Sequence, residues 1–264
     1  MATSQLWSHY YRAWSQMAPP LRPNHEVVAA VKTLVKDNSS RALILGVTPE
    51  FADMTSDVIA LDRNYSMVRH IWPGNTGTSR AIVGNWLNQN FMSDCFSLCL
   101  ADGSLNLLES PADVGQCCAE LARVMKHGGR FICRVLLASD QSESISELRT
   151  AAASGTIRNF HAFKCRLAAA MVTQASTCNV KVHDIFKLFG ELFPDRRRLV
   201  EMTGWSRGEI DTIDFYQGSK TIMSFPTRRH VASVVSQSLS NVRFLEIGTY
   251  ELAEHCPLLV AERC

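Results

Sequence analysis

The run from Arg41 to Glu50 reads RALILGVTPE, and a second apolar run, Val58 to Leu61, ends in the carboxylate of Asp62. Asp62 follows Gly46 by sixteen positions. The pattern is that of a strand, a tight turn, a helical segment and a second strand, the layout that holds an adenosine-containing cofactor. A glycine at the turn lets the backbone approach a ligand with no Cβ in the way. A carboxylate at the tip of the second strand can accept hydrogen bonds from both hydroxyls of a ribose. These two features constrain the chain more than any others.

The remaining sequence extends this pattern into an α/β fold. Apolar strands are expected at 42–46, 57–61, 81–84, 95–101 and 129–135, alternating with amphipathic segments in the manner of βαβ units. Residues 112–125 repeat apolar side chains at helical spacing, with His127-Gly128-Gly129 expected to stop that helix. Two further strands, 242–248 and 257–262, lie near the end, and a terminal pair of this kind adds an antiparallel strand at one edge of a parallel sheet. The expectation is a Rossmann-like, seven-stranded, mostly parallel sheet with helices on both faces and one antiparallel strand near the C-terminus.

Two regions lie outside that alternation. Residues 139–218 are helical in pattern (145–153, 162–173, 182–192 and 197–203) and too long for a plain loop. They are read as a helical cap insertion, placed over the carboxyl ends of the strands where open α/β sheets bind ligands; an irregular packing extension is the alternative. Residues 1–40 form an N-terminal helical segment with Trp7, Tyr10, Tyr11 and Trp14, then a proline-rich break and a second helix at 26–35. Its rings are read first as packing onto the sheet, with Tyr11, Trp14 and the cation Arg22 placed to close over a cofactor. The core is then 41–138 together with 219–264.

Composition narrows the partners. Of 264 residues, 46% are hydrophobic and 20% charged, as in ordinary globular chains, and a net charge of +2 gives no reason to expect nucleic acid. No secretory signal is visible, and no apolar run approaches the ~20 residues that span a bilayer, so a cytoplasmic location is expected. The Asn-x-Ser triplets at Asn38 and Asn64 are then chance matches. The nine cysteines are scattered through apolar runs without Cys-x-x-Cys or zinc spacing, which suggests reduced packing thiols and no metal site.

At this point the chain resembles the class I S-adenosylmethionine-dependent methyltransferases, small-molecule type, well over residues 40–136 and moderately over 221–263. Leu45 to Glu50 takes the place of that family's glycine-rich first motif, so the resemblance implies that Gly46, Val47, Thr48 and Pro49 line the cofactor. Leu61 to Val68 looks like the second motif, with Asp62 on the ribose and Arg63 and Met67 flanking the adenine. Gly84-Asn85-Trp86 resembles the segment after the third strand; Asn85 stands where the family carries an acidic residue, and Trp86 offers a ring to stack on. The stretch Asp94 to Leu105 is similar to the fourth motif, which places Asp102, Gly103 and Ser104 beside the sulfonium. Residues 120–131 form the most specific match. One departure is plain: this first loop has a single glycine where the family has two or three.

The resemblance implies S-adenosylmethionine as methyl donor, S-adenosylhomocysteine as product and a small-molecule acceptor, with no membrane or nucleic acid involved. In-line displacement needs alignment more than a nucleophilic side chain, and the sequence has no Ser-His-Asp or Cys-His grouping. If the acceptor must lose a proton, His161 on a cap helix is the first candidate base, with Asp102 and Glu191 behind it. Two rivals remain open at this stage. One is a non-catalytic binding or partner protein on the same fold. The other is an NAD(P)-dependent oxidoreductase, which normally needs a Gly-x-Gly-x-x-Gly loop absent here.

Overall fold

Strands covered on both faces need apolar residues at every position rather than at alternate ones, and Ala42, Leu43, Ile44 and Leu45 are each fully buried. The computed structural model describes residues 10–35, 37, 40–138 and 143–264. Trp7, the Asn38 triplet and the start of the expected cap at Ser139 lie outside the described residues. A short 3-10 helix, Tyr11–Gln16, and helix α1, His25–Leu34, precede strand β1, Arg41–Leu45. There follow β2 (Asp57–Asp62), α2 (Tyr65–His70), β3 (Ser79–Val83), β4 (Phe96–Asp102), α3 (Pro111–Val124) and β5 (Met125–Arg134). Then come α4 (Ile145–Ala153), α5 (Phe160–Gln174), β6 (Asn179–Lys181), α6 (Val182–Leu192), α7 (Arg196–Thr203) and α8 (Arg207–Asp211). The chain closes with β7 (Ile222–Ser224), α9 (Arg228–Val235), β8 (Ser240–Leu245) and β9 (Leu258–Glu262).

Seven strands form one sheet in the order β3-β2-β1-β4-β5-β9-β8. Neighbours from β3 to β5 pair in parallel, whereas β9 runs antiparallel to both β5 and β8. The expected Rossmann-like sheet with one reversed strand near the C-terminus is therefore what forms. The order places β1 and β4 side by side at the point where the chain reverses direction across the sheet, which puts the carboxyl tips of β1, β2 and β4 together. Among the described residues, no helix is long and apolar enough to cross a membrane.

Two details differ from the expected elements. Helix α3 ends at Val124, before His127-Gly128-Gly129, and the glycines instead sit in an irregularity of β5. Gly128 has φ +71, and a methyl built on Gly129 would come within 2.7 Å of the Lys126 carbonyl, so this bulge needs both glycines. A small second sheet was also not expected: β6 and β7 pair antiparallel, tying the helical region to residues 222–224. Its three-residue strands are too short to show a period.

Three apolar clusters hold the layers together. One face of the sheet packs on α3 and α9 through Leu43, Cys117, Leu121, Val231 and Val235, and the other packs on α1 and α2 through Val31, Ile44, Phe51 and Met67. The third cluster is the core of the helical region, centred on Phe160, Phe163, Phe189 and Trp205. The N-terminal segment straddles two of these. Tyr10, Ala13 and Met17 belong to the helical region's core, while Tyr11 and Trp14 pack against the sheet side.

Candidate functional site

Gly46 ends β1 with φ +93, a backbone conformation that side chains other than glycine adopt only under strain. Three groups converge on it. A methyl built on Gly46 would lie 3.5 Å from Ser104 Oγ, 3.6 Å from Trp86 Cζ2 and 3.8 Å from Asp62 Oδ2. The tips of β1, β2 and β4 and the segment after β3 thus meet around one glycine. The backbone fixes the arrangement: the Leu61 carbonyl accepts from Gly46 N–H at 2.8 Å and from Trp86 Nε1–H at 2.6 Å, and Ser104 Oγ–H donates to the Leu45 carbonyl at 2.6 Å.

Asp62 Oδ1 accepts from Asn64 N–H at 2.7 Å, and the carboxylate also accepts from the Val47 amide. Burial nevertheless pushes its pKa up to about 6, against a usual 3.8; the two amides and the Arg63 charge offset only part of the desolvation. Asp62 is half-buried beside the glycine turn, and a carboxylate held by two amides keeps lone pairs that hydroxyl donors from a ligand can meet. Asn64 caps α2 by accepting from Met67 N–H.

The remaining sequence candidates fall into groups. Val47 and Thr48 are buried, and Pro49 starts a 3-10 turn, Pro49–Phe51. Met67 is buried on the sheet side, Arg63 and Asn85 are exposed, and Gly103 takes a left-handed turn, φ +66, that delivers Ser104 into the cluster. Tyr11 stacks on His70 with ring centroids 4.3 Å apart. Trp14 and Arg22 come together beside Glu50: the Arg22 guanidinium lies 5.2 Å from the Trp14 ring, donates to the Trp14 carbonyl and pairs with Glu50 Oε1. Trp14 Nε1 and Glu50 Oε2 are both buried with no hydrogen-bond partner. Sequence reasoning quoted Glu50 without giving it a role; its position four residues after Gly46 was the available signal.

Asp102 is committed to a buried ion pair, and His161 is sealed in the core. Arg134, directly across from Asp102 in the β4–β5 pairing, forks onto both carboxylate oxygens at 2.6 and 2.9 Å, and Arg134 is 1% exposed. Burial alone would lower the guanidinium pKa; the Asp102 charge and bonds reverse that and hold it high. Tyr250 stands against the same guanidinium. His161 is fully buried, with Nε2 2.8 Å from the Gln16 carbonyl, so Nε2 carries the proton and Nδ1 is left without a partner. Burial, then the nearby Lys164 charge, lowers its pKa to about 3, which keeps the ring neutral. Glu191 lies exposed on α6. Sequence reasoning missed Arg134 as the partner of Asp102, because only strand register brings them together.

A cavity of about 570 Å³ opens beyond the β5 tip, between α4, α5 and the β8–β9 connection. Among the described residues no group of His, Cys, Asp or Glu is arranged to hold a metal ion.

Residues 46–133 match a family model described as a methyltransferase domain. No curated protein matches the chain in sequence. Solved structures share its fold at low identity. A S-adenosylmethionine-dependent methyltransferase from Methanosarcina mazei is 13% identical, with a TM-score of 0.52 over 92% of this chain and 99% of that one. A Rhodobacter sphaeroides protein provisionally described as a Zn-dependent alcohol dehydrogenase is 11% identical, with a TM-score of 0.61 and full coverage of both chains. Human N-acetylserotonin methyltransferase, solved with S-adenosylmethionine, is 9% identical, with a TM-score of 0.50 over 98% of this chain and 55% of that one. At such identities the likeness concerns the fold alone.

Proposed function

We propose that this chain, a member of the class I S-adenosylmethionine-dependent methyltransferase family through its methyltransferase domain at residues 46–133, moves a methyl group to a small-molecule acceptor. The observation that carries this reading is the convergence of Asp62, Trp86 and Ser104 on Gly46 at the tips of β1, β2 and β4. When bound, S-adenosylmethionine supplies an activated methyl group on a sulfonium, open to in-line attack.

The residues present fit that cofactor. Asp62, at the tip of β2 beside Gly46, offers its carboxylate to the ribose hydroxyls. Trp86, whose Cζ2 would lie 3.6 Å from a methyl on Gly46, is the ring beside the turn for the adenine to stack on. The orphaned Trp14 Nε1 and Glu50 Oε2, both on residues that contact Arg22, are a donor and an acceptor available to a zwitterionic amino-acid head. One glycine suffices at the turn because Thr48 and Pro49 complete it without needing positive φ.

The protein's part is then alignment and exclusion of water. Neither Asp102, held on both oxygens by Arg134, nor His161, sealed in the core, is arranged to take a proton from an acceptor. Positioning is accordingly the main source of rate in this reading, and an acceptor that attacks as a neutral lone pair suits it.

Calorimetric titration of the purified chain with S-adenosylmethionine, S-adenosylhomocysteine and NAD tests the proposal. Binding of the first two and not of NAD is expected. Asp62→Ala should weaken that binding by at least ~1.5 kcal/mol, because charge-assisted hydrogen bonds to the ribose are lost. Binding of NAD alone would favour the oxidoreductase reading, and unchanged affinity in the variant would remove Asp62 from the site.

A further inference from the structure

The 570 Å³ cavity is built by separate parts of the chain. Leu136 and Leu137 follow β5, Glu147 and Ala151 come from α4, Cys165, Arg166 and Ala169 from α5, Phe225 follows β7, and Glu251, Glu254 and Cys256 come from the β8–β9 connection. Its inner wall is apolar: Leu136, Cys165, Phe225 and Cys256 are each 5% exposed or less. The Leu136 side chain lies 3.8 Å from a methyl built on Gly103, and the next residue, Ser104, touches the Gly46 turn. One short loop therefore borders both the cavity and the proposed cofactor site.

The charges around this apolar space are unbalanced. Four carboxylates, Glu143, Glu147, Glu251 and Glu254, line the cavity, against one guanidinium, Arg166, and the imidazole of His255. Arg166 pairs with Glu143 through Nε at 3.0 Å and stands 3.7 Å from Glu251. Glu251 Oε2 also receives the Arg158 and Asn159 amides, so those two carboxylates are structurally engaged. Glu147 uses one oxygen to cap α4, and Glu254 has only His255 nearby, 3.8 Å away. Among the described residues no guanidinium or ammonium pairs with these last two, which are exposed at the cavity mouth. An anionic ligand would meet net repulsion, and a neutral one would forgo the available attraction.

We propose that this cavity holds the methyl acceptor and selects an organic cation, an apolar body whose ammonium group rests against Glu147 and Glu254 while a separate atom with a free lone pair accepts the methyl group. The assignment as acceptor chamber rests on the methyl-transfer reading; the selectivity for a cation does not. The structure gives the occupant no further identity than this chemistry.

The test uses three probes of one shape and different charge: phenethylamine, phenethyl alcohol and hydrocinnamate. Their affinities for the full chain are measured by ligand-observed NMR, with and without S-adenosylhomocysteine. The amine should bind roughly tenfold or more tightly than the alcohol or the carboxylate, with the margin shrinking as salt rises. Glu147→Gln combined with Glu254→Gln, both at the exposed mouth, should remove most of that preference. Ala169→Trp should abolish amine binding by filling the space while leaving S-adenosylhomocysteine binding unchanged. Equal affinity for the three probes, no amine binding at millimolar concentration, or amine binding indifferent to the double variant overturns the proposal. Failure of S-adenosylhomocysteine to bind would instead strike the methyl-transfer reading, and the probe series without it would still judge the cavity.

Discussion

Asp62 is a half-buried carboxylate with two amide partners, and its titration gives the site a pH signature. Its native pKa is about 6, against 3.8 when free. Between those values the native state keeps a proton that the unfolded chain has released. Stability therefore falls as pH rises through this window, by up to ~3 kcal/mol for a shift of this size. Ribose hydroxyls donate best to the ionised form, so cofactor affinity should move the opposite way and weaken about tenfold between pH 7.5 and 5. Calorimetry across that range checks it, and in Asp62→Asn both dependences should flatten. An affinity independent of pH in the native protein would mean that no ligand hydroxyl meets this carboxylate. The place of Asp62 at the tip of a strand was legible from the apolar run that it ends. Its amide partners at Val47 and Asn64 were not, since they depend on how the two turns face each other.

At the scale of elements, the helical region shows how a core can be organised around a buried charge. Lys164 on α5 is 2% exposed, donates to Thr212 Oγ1 at 2.9 Å and lies between the rings of Phe160 and Tyr216. Burial brings its pKa down from 10.5 to about 7. Between these values the unfolded state binds more protons than the native one, so this group's contribution to stability rises with pH from about 7 toward 10.5. Lys164→Met, close in volume, is expected to be neutral or stabilising by about 1 kcal/mol at pH 7 and to remove that rise. Urea unfolding at several pH values checks it, and a loss of several kcal/mol would show that the Thr212 bond and the ring contacts outweigh desolvation. The helices of this region were readable from their apolar spacing, 145–153 and 182–192 to the residue. Their mutual packing, the β6–β7 pairing and the burial of Lys164 were not, because a lysine in an apolar stripe reads as a solvated one. The same holds for Gly128-Gly129, whose composition suited a helix stop as well as the bulge it forms.

At the scale of the whole molecule, the sheet order follows from the alternation of apolar strands and amphipathic helices, and this level was legible in advance. What the sequence could not supply was the pairing that locks the strand tips together. Arg134 on β5 holds Asp102 on β4 and meets Tyr250 on the β8–β9 connection, so one buried guanidinium ties the central sheet to its reversed edge. Arg134→Leu leaves Asp102 buried without a counter-charge and should cost about 3–5 kcal/mol, while adding Asp102→Leu should recover much of it. Chemical denaturation of the two variants decides the matter; a single variant as stable as the native chain would mean that water reaches the carboxylate. The N-terminal segment has a comparable role, with Tyr10 in the core of the helical region and Tyr11 on the sheet side, and it brings Trp14 and Arg22 to Glu50.

The most direct test of the methyl-donor site is a crystal structure of the chain grown with S-adenosylhomocysteine. The adenosyl group should lie over Gly46, with its ribose hydroxyls on Asp62 and its adenine against Trp86. A ligand bound elsewhere, with Trp86 and Asp62 still closed on Gly46, would contradict it.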